Sequence, residues 1–251
     1  MSQASRDSIA FEMQNIVKNF GGVQALKNVD FGVCFGEIHA LLGENGAGKS
    51  TILKILQGVY TPDSGTIMIC GKVLNSLTPI TATKQGIGMI FQEMSLVPTL
   101  SVAQNIFLSR EPTNRFGLID DHTMNQEAKK IFATMGVDID PNEEVGNLSA
   151  GQQQLTEIVK ALSQDVKVLI LDEPTSALSA SEVETLFALL QKLKQEGKAI
   201  VYVSHRMDEI FSIANRVTIL RDGNKIATRD IDEYTLETLI SDIMGKESLN
   251  L

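Results

Sequence analysis

The chain has 251 residues, 43% of them apolar and 21% charged, with a formal net charge of -9. A chain of that size buries about 70–75% of its unfolded surface and needs no disulfide or metal staple. Its acidic balance excludes a broad basic footprint for nucleic acid, and no apolar run approaches the roughly 18–20 residues that span a bilayer.

Residues 1 to 8 carry no apolar leader core, so a soluble, cytoplasmic chain is expected. From about residue 9 to 40, apolar and polar positions alternate around Gly21-Gly22 and Gly36, predicting an antiparallel β start. Ile38 to Leu42 is unbroken apolar sequence, the mark of a strand covered on both faces, and it runs into the glycine loop Gly43 to Ser50. A helix over Thr51 to Gln57 follows, then a turn at Pro62-Asp63-Ser64-Gly65 and a strand over Thr66 to Cys70. Gly86 to Phe91 is a second covered run, ending at Gln92. From about Leu96 to Leu162 helical periodicity takes over, as in an inserted helical subdomain. Two more covered runs follow: Val168 to Leu171 ends at Asp172-Glu173, and Ala199 to Val203 ends at Ser204-His205. A last helix starts near Leu236 and stops near Gly245. Ser101 with Gln104, Ser149 with Gln152 and Ser179 with Glu182 have capping-box spacing and mark three helix starts. Cys34 and Cys70 have neither paired nor metal-ligand spacing and read as small buried hydrophobes.

Ligands of parallel sheets sit outside the carboxyl ends of the strands, so the four run ends should share one edge that holds a nucleoside triphosphate. Gly43-Glu44-Asn45-Gly46-Ala47-Gly48-Lys49-Ser50 fits G-x-x-x-x-G-K-[ST] between a strand and a helix. In that setting inward backbone N–H groups and a helix N-terminus surround phosphates, Lys49 reaches the β and γ phosphates, and Ser50 ligates Mg²⁺. Asp172 would hold Mg²⁺ through water, and Glu173 would orient and deprotonate the attacking water. Gln92 could touch both metal and water, and His205 could donate to the γ-phosphate. Ser149 opens a helix whose N-terminus suits an anion, although on physical grounds alone an ordinary cap that binds nothing is the better reading.

Together, Gly43 to Ser50, Gln92, Leu148 to Gln152, Leu171-Asp172-Glu173-Pro174-Thr175 and His205 resemble the ATPase subunit of ABC transporters over nearly the whole chain. The resemblance implies an α/β P-loop NTPase with a mostly parallel sheet, an N-terminal antiparallel β subdomain and an inserted helical subdomain. In these terms residues 1–251 form one ATPase domain, with about 1–95 and 164–251 as the core and about 96–163 as the helical part. It also implies ATP and Mg²⁺ as cofactors, nucleotide contacts from residues 43–51 (Thr51 included), and metal contacts from Ser50, Gln92 and Asp172. Phe20 takes the place of an adenine-stacking aromatic, with a core role as the alternative. Two such domains pack head to tail in that family, so Ser149, Gly151 and Gln152 would close over the nucleotide of a second domain. Three departures stand out: Ala150 where Gly is usual, Ser179 where Asp is frequent, and no Arg after the signature.

The run Gln152 to Leu162 and Ser204-His205-Arg206-Met207-Asp208-Glu209-Ile210 resemble the first half of the tandem ATPases of monosaccharide import, the ribose and galactose type. That likeness implies a transmembrane permease, a sugar-binding protein, no nucleic acid, and attachment to the inner face of the cell membrane. Whether the chain is half of a tandem protein or a single-domain relative stays open. Met94 to Pro98 and Val102 to Leu108 form either a docking patch for a permease helix or subdomain core. A soluble ABC-type ATPase acting on ribosome or nucleic acid is the alternative function, although neither a charged interdomain linker nor a long coiled coil is present. A GTP switch ranks last, because no Asn-Lys-x-Asp guanine reader exists.

Overall fold

The computed structural model describes residues 9–74, 76–90 and 95–245, and these fall into two compact units. The first contains residues up to Met89, Lys167–Asp172 and Leu193 onward; the second contains Ile90–Val166 and Glu173–Lys192.

The first unit holds two sheets. Strands β1 (Ile9–Phe20), β2 (Val23–Cys34), β4 (Ser64–Ile69) and β5 (Lys72–Leu74) form an antiparallel sheet in the order β2-β1-β4-β5. The other sheet runs β10-β9-β3-β8-β7-β6, with β3 (Ile38–Leu42), β6 (Ile87–Ile90), β7 (Val168–Asp172), β8 (Ala199–Val203), β9 (Arg216–Arg221) and β10 (Asn224–Asp230). Pairs β7–β8, β8–β3 and β3–β9 are parallel, and β10 closes one edge antiparallel to β9. The antiparallel start and the covered strands β3, β7 and β8 expected from the sequence are present, and every residue of β3 and β8 is buried, whereas β6, at the sheet edge, is covered only in part.

Period-two alternation places Val168, Ile170, Ala199, Val201 and Val203 on one face of the sheet. There they join Phe11, Met13, Ile16 and Val29 of the antiparallel sheet, together with Ile52, Leu53, Ile55 and Leu56 of helix α1 (Lys49–Leu56), in one core. Full burial of each such side chain contributes about 1.5–3 kcal/mol. Cys34 and Cys70 are half-buried rather than fully enclosed, and neither is in a disulfide.

The second unit contains helices α3 (Val102–Ile106), α4 (Asp121–Met135) and α5 (Ala150–Leu162) and most of α6 (Ala180–Gln195). All three predicted capping boxes form, at Ser101–Gln104, Ser149–Gln152 and Ser179–Glu182. Two further boxes, Thr78–Thr81 at α2 (Pro79–Lys84) and Thr235–Thr238 at α8 (Leu236–Met244), use Thr at the third position and escaped the Glu/Gln pattern. Val102, Ala103, Ile106 and Phe107 are buried in the subdomain core, whereas Leu108 is exposed and Leu96 and Val97 are half-buried. The buried Asn105 amide pins the preceding loop through Val97, Leu100 and Ser101. Met94 lies outside the described residues. Among the described residues no helix is long and apolar enough to cross a membrane.

One polar network crosses the parallel sheet. His39, fully buried in β3, bonds through Nδ1 to Glu37 (3.0 Å) and through Nε2 to Thr218 (2.8 Å). Burial holds the His39 pKa below its ordinary value against the pull of Glu37. For Glu37, burial opposes ionisation, but the bonds from His39 and the Cys34 N–H and the charge of Arg216 outweigh it and keep the carboxyl below its usual range. A depressed His39 pKa means that the unfolded chain takes up a proton first as pH falls below about 6.5, so stability is lost on the acid side. We expect stability to fall from pH 7 to pH 5 more steeply in the wild type than in His39→Gln, by up to about 1.4 kcal/mol per pH unit at the steepest point. Thermal melts at stepped pH test this, and equal slopes would remove His39 as the titrating group.

Candidate functional site

The ends of β3, β7 and β8 are brought to one level by their register. Ala40 pairs with Tyr202, and Tyr202 pairs with Leu171. Gly43 and His205 thus each lie three residues beyond the aligned row, and Asp172 one residue beyond it. Adjacent strands are about 4.8 Å apart, so β3 and β7, flanking β8, stand about 10 Å from each other. A triphosphate with its metal fits a span of that size. Strand β6 is the next neighbour of β7, but Gln92 lies outside the described residues.

The glycine loop leaves β3 through positions that exclude side chains. A Cβ on Gly43 would sit 2.2 Å from the Leu220 carbonyl oxygen, and one on Gly48, at φ 107°, would sit 2.8 Å from Leu26. Around Gly46 there is open space on the outer side, and Glu44, Asn45 and Gly46 are exposed while Ala47 is buried. Gly48 is also the N-cap of α1, and no side chain caps that helix; a helix N-terminus of this kind suits an anion. Lys49 folds back across the loop, donating to the carbonyls of Gly43 (2.6 Å) and Glu44 (3.0 Å). Ser50 and Thr51 follow in the first turn of the helix, with Ser50 exposed. This cradle suits a polyphosphate. The hydroxyl of Ser50 and the carboxylate of Asp172 are hard oxygen donors of the kind Mg²⁺ takes, with waters and phosphate oxygens completing its shell. Among the described residues no group of three or more His, Cys, Asp or Glu could hold a metal ion by itself.

Phe20 ends β1 at the hairpin tip, 41% exposed and paired with Val23. The hairpin reaches the glycine loop because the Ala25 carbonyl lies 3.0 Å from where a Gly48 Cβ would stand. Tyr60, not singled out from the sequence, packs edge-on against Phe20 with ring centroids 5.1 Å apart. Asp63 fixes the pair by accepting from Lys18 Nζ (3.0 Å) and from the Asn19 N–H (2.7 Å). Those bonds, that from Lys18 foremost, hold its carboxyl below the usual range. Phe20 is therefore not a core residue, since its ring stays half open.

His205 sits on a short turn clamped from below. Glu209, on α7 (Met207–Ile213), is 2% exposed and accepts from Tyr202 Oη (2.7 Å) and Ser204 Oγ (3.0 Å), and it pairs with Arg206 (2.8 Å). The Ser204 hydroxyl in turn accepts from the Arg206 N–H at 3.1 Å. Sequence patterns assigned no role to Glu209 or Tyr202, because that role depends on a strand and a helix folding onto each other.

In the second unit, Glu173 begins directly after β7 with φ 50°, a left-handed backbone uncommon for a residue with a side chain and frequent at functional turns. Ser149 caps α5, and Gly151 and Gln152 lie in its first turn. Ala150 is outside the left-handed region, so a methyl group is accommodated where Gly is usual. Ser149 Oγ also donates to Glu182 at 2.9 Å, a contact the sequence reading missed although Glu182 was recognised as a cap.

A family model described as ABC transporter matches residues 26–176. The chain is 46% identical to the ribose import ATP-binding protein RbsA of Geobacillus kaustophilus, over 94% of this chain and 48% of that protein. It is 47% identical to a putative ribose/galactose/methyl galactoside import ATP-binding protein 1 of Agrobacterium fabrum, over 98% of this chain and 48% of that protein. The chain thus spans about half the length of these relatives. Among solved structures it resembles a nucleotide-free ATP-binding cassette from an ABC transporter (TM-score 0.81, 24% identity, 93% of this chain and 95% of the other), a likeness of fold alone. It also resembles a dimeric ATP-binding cassette in a post-hydrolysis state bound to ADP and Pi (TM-score 0.75, 28% identity, 88% and 98%). With more than half of its length matched by the family model, and with its glycine loop and aligned strand ends, the chain belongs to the ABC transporter family.

Proposed function

We propose that residues 1–251 form one nucleotide-binding domain that hydrolyses ATP to drive import of a monosaccharide through an ABC transporter. The shared edge of β3, β7 and β8 is the observation that supports this most, and the similarity to ribose and galactose import proteins supports the choice of sugar. The domain works at the inner face of the cell membrane, docked on a transmembrane permease supplied by a sugar-binding protein, and pairs with a second ATPase domain.

Lys49 carries positive charge to the β and γ phosphates once it leaves the loop carbonyls. Ser50, Asp172 and Gln92 would hold Mg²⁺, which when bound would neutralise charge on the phosphate oxygens. Residues 43–51 wrap the phosphates with backbone N–H groups, and Phe20 stacks on the base. Glu173 accepts the proton of the attacking water as its oxygen bonds to the γ-phosphorus and the bond to the β-phosphate oxygen breaks, leaving ADP and phosphate. His205, held by the Ser204–Arg206–Glu209 clamp, donates to the γ-phosphate. Ser149, Gly151 and Gln152 meet the γ-phosphate held by the other domain of the pair.

Glu173→Gln should keep ATP affinity and lose turnover by about 100-fold or more, in line with the removal of a general base. Phosphate release and nucleotide titration read the two quantities separately, and unchanged turnover would exclude Glu173 as the base. Lys49→Ala should weaken ATP binding by about tenfold or more, because a charge-assisted phosphate contact is lost; an equilibrium titration with a fluorescent ATP analogue checks it. Purification from native membranes should bring down a permease, and ATP turnover of that complex should rise when a monosaccharide-loaded binding protein is added. Salt-sensitive micromolar binding to RNA or DNA, with no membrane partner, would replace this function with a soluble one.

A further inference from the structure

The first turn of α5 already holds an anion, and this chain supplies it. Glu182 Oε1 accepts from Ser149 Oγ at 2.9 Å, while Oε2 accepts from the Ser179 N–H (2.9 Å) and the Ser179 hydroxyl (2.8 Å). The carboxyl group lies against the helix start so closely that a Cβ on Gly151 would stand 2.0 Å from Glu182 Cδ. All four residues belong to the second unit. Bonds from Ser179, then Ser149 and the Gly151 N–H, hold the Glu182 carboxyl below the ordinary Glu range, so it is ionised at neutral pH.

A hydroxyl has one proton to donate. Ser149 therefore cannot serve Glu182 and a γ-phosphate together. Ser179 decides whether the carboxylate can rest there, since its N–H and hydroxyl donate to Oε2. An Asp at 179, the frequent residue in the family, would set a second negative charge beside Glu182 and push it away. The departure at 179 and the contact at 149 thus form one arrangement.

We propose that Glu182 is an autoinhibitory latch that occupies the Ser149 donor of the unpaired domain and covers Gly151, and that nucleotide on the second domain must displace it before the pair closes. The latch rests on the paired arrangement proposed above. Its effect is to raise the nucleotide concentration at which pairing begins. It thereby keeps single domains apart when ATP is scarce.

Glu182→Gln tests this, because Gln can still close the Ser179 capping box and α6 keeps its start. Glu182→Ala removes the acceptor altogether. In the nucleotide-free chain, amide exchange at Gly151 should quicken at least about twofold in both variants. With Mg²⁺ and a non-hydrolysable ATP analogue, sedimentation should show half-maximal pairing at about two- to tenfold lower analogue concentration, with Ala shifted further than Gln. Analogue binding by dilute, unpaired protein should stay as in the wild type. Unchanged exchange at Gly151 overturns the contact. Pairing at the wild-type concentration, or a higher one, overturns the latch while leaving the paired arrangement intact. If no protein pairs, the paired arrangement fails and the latch fails with it.

Discussion

Parallel pairing of three short buried strands is the constraint on which the rest of the first unit depends. Strands β3, β8 and β7 have five residues each, and their side chains leave no exposed face except at Asp172. A one-residue slip would exchange Val201 and Val203 with the larger Tyr202 between the two buried faces, so the fit of side chains on each face fixes the register. Once the register is fixed, Gly43, Asp172 and His205 follow at one edge. The phosphate edge is thus a consequence of core packing.

Polar contacts then refine what packing has placed. His39 in the middle of β3 would be costly alone, but Glu37 and Thr218 satisfy both ring nitrogens, and Thr218 bonds on to Thr228 of β10 at 2.8 Å. That chain of bonds ties the nucleotide strand to the antiparallel edge hairpin. Glu209 acts similarly beneath His205: a buried carboxylate with several donors is rigid, and removing one partner would leave an uncompensated charge. The glycine loop is held by bonds from Lys49 to the Gly43 and Glu44 carbonyls, and Leu220, Leu26 and Ala25 stand where side chains on Gly43 and Gly48 would be.

The second unit follows another logic. Its helices start at capping boxes, where side chain and backbone satisfy one another, and Ser149 shows that one cap can face two ways. The same hydroxyl accepts from the Gln152 N–H and donates to Glu182. The proton of such a cap is free to serve a second acceptor, and in this chain that acceptor is the Glu182 carboxylate.

Local chemistry made much of this visible in the residues themselves. Unbroken apolar runs announced the covered strands, G-x-x-x-x-G-K-S announced the phosphate loop, and Ser with Glu or Gln three residues on announced three helix starts, because each pattern acts through neighbours a few residues apart. The two Thr-Thr caps and the true setting of Val102 to Phe107 were harder to see: a hydroxyl can replace a carboxamide, and an apolar helix looks alike whether it faces a core or a partner. Only the tertiary structure set Tyr60 beside Phe20, Glu209 beneath His205 and Glu182 against Ser149. The last two contacts join strand to helix and helix to loop, and the geometry that makes them is set by packing that no local spacing encodes.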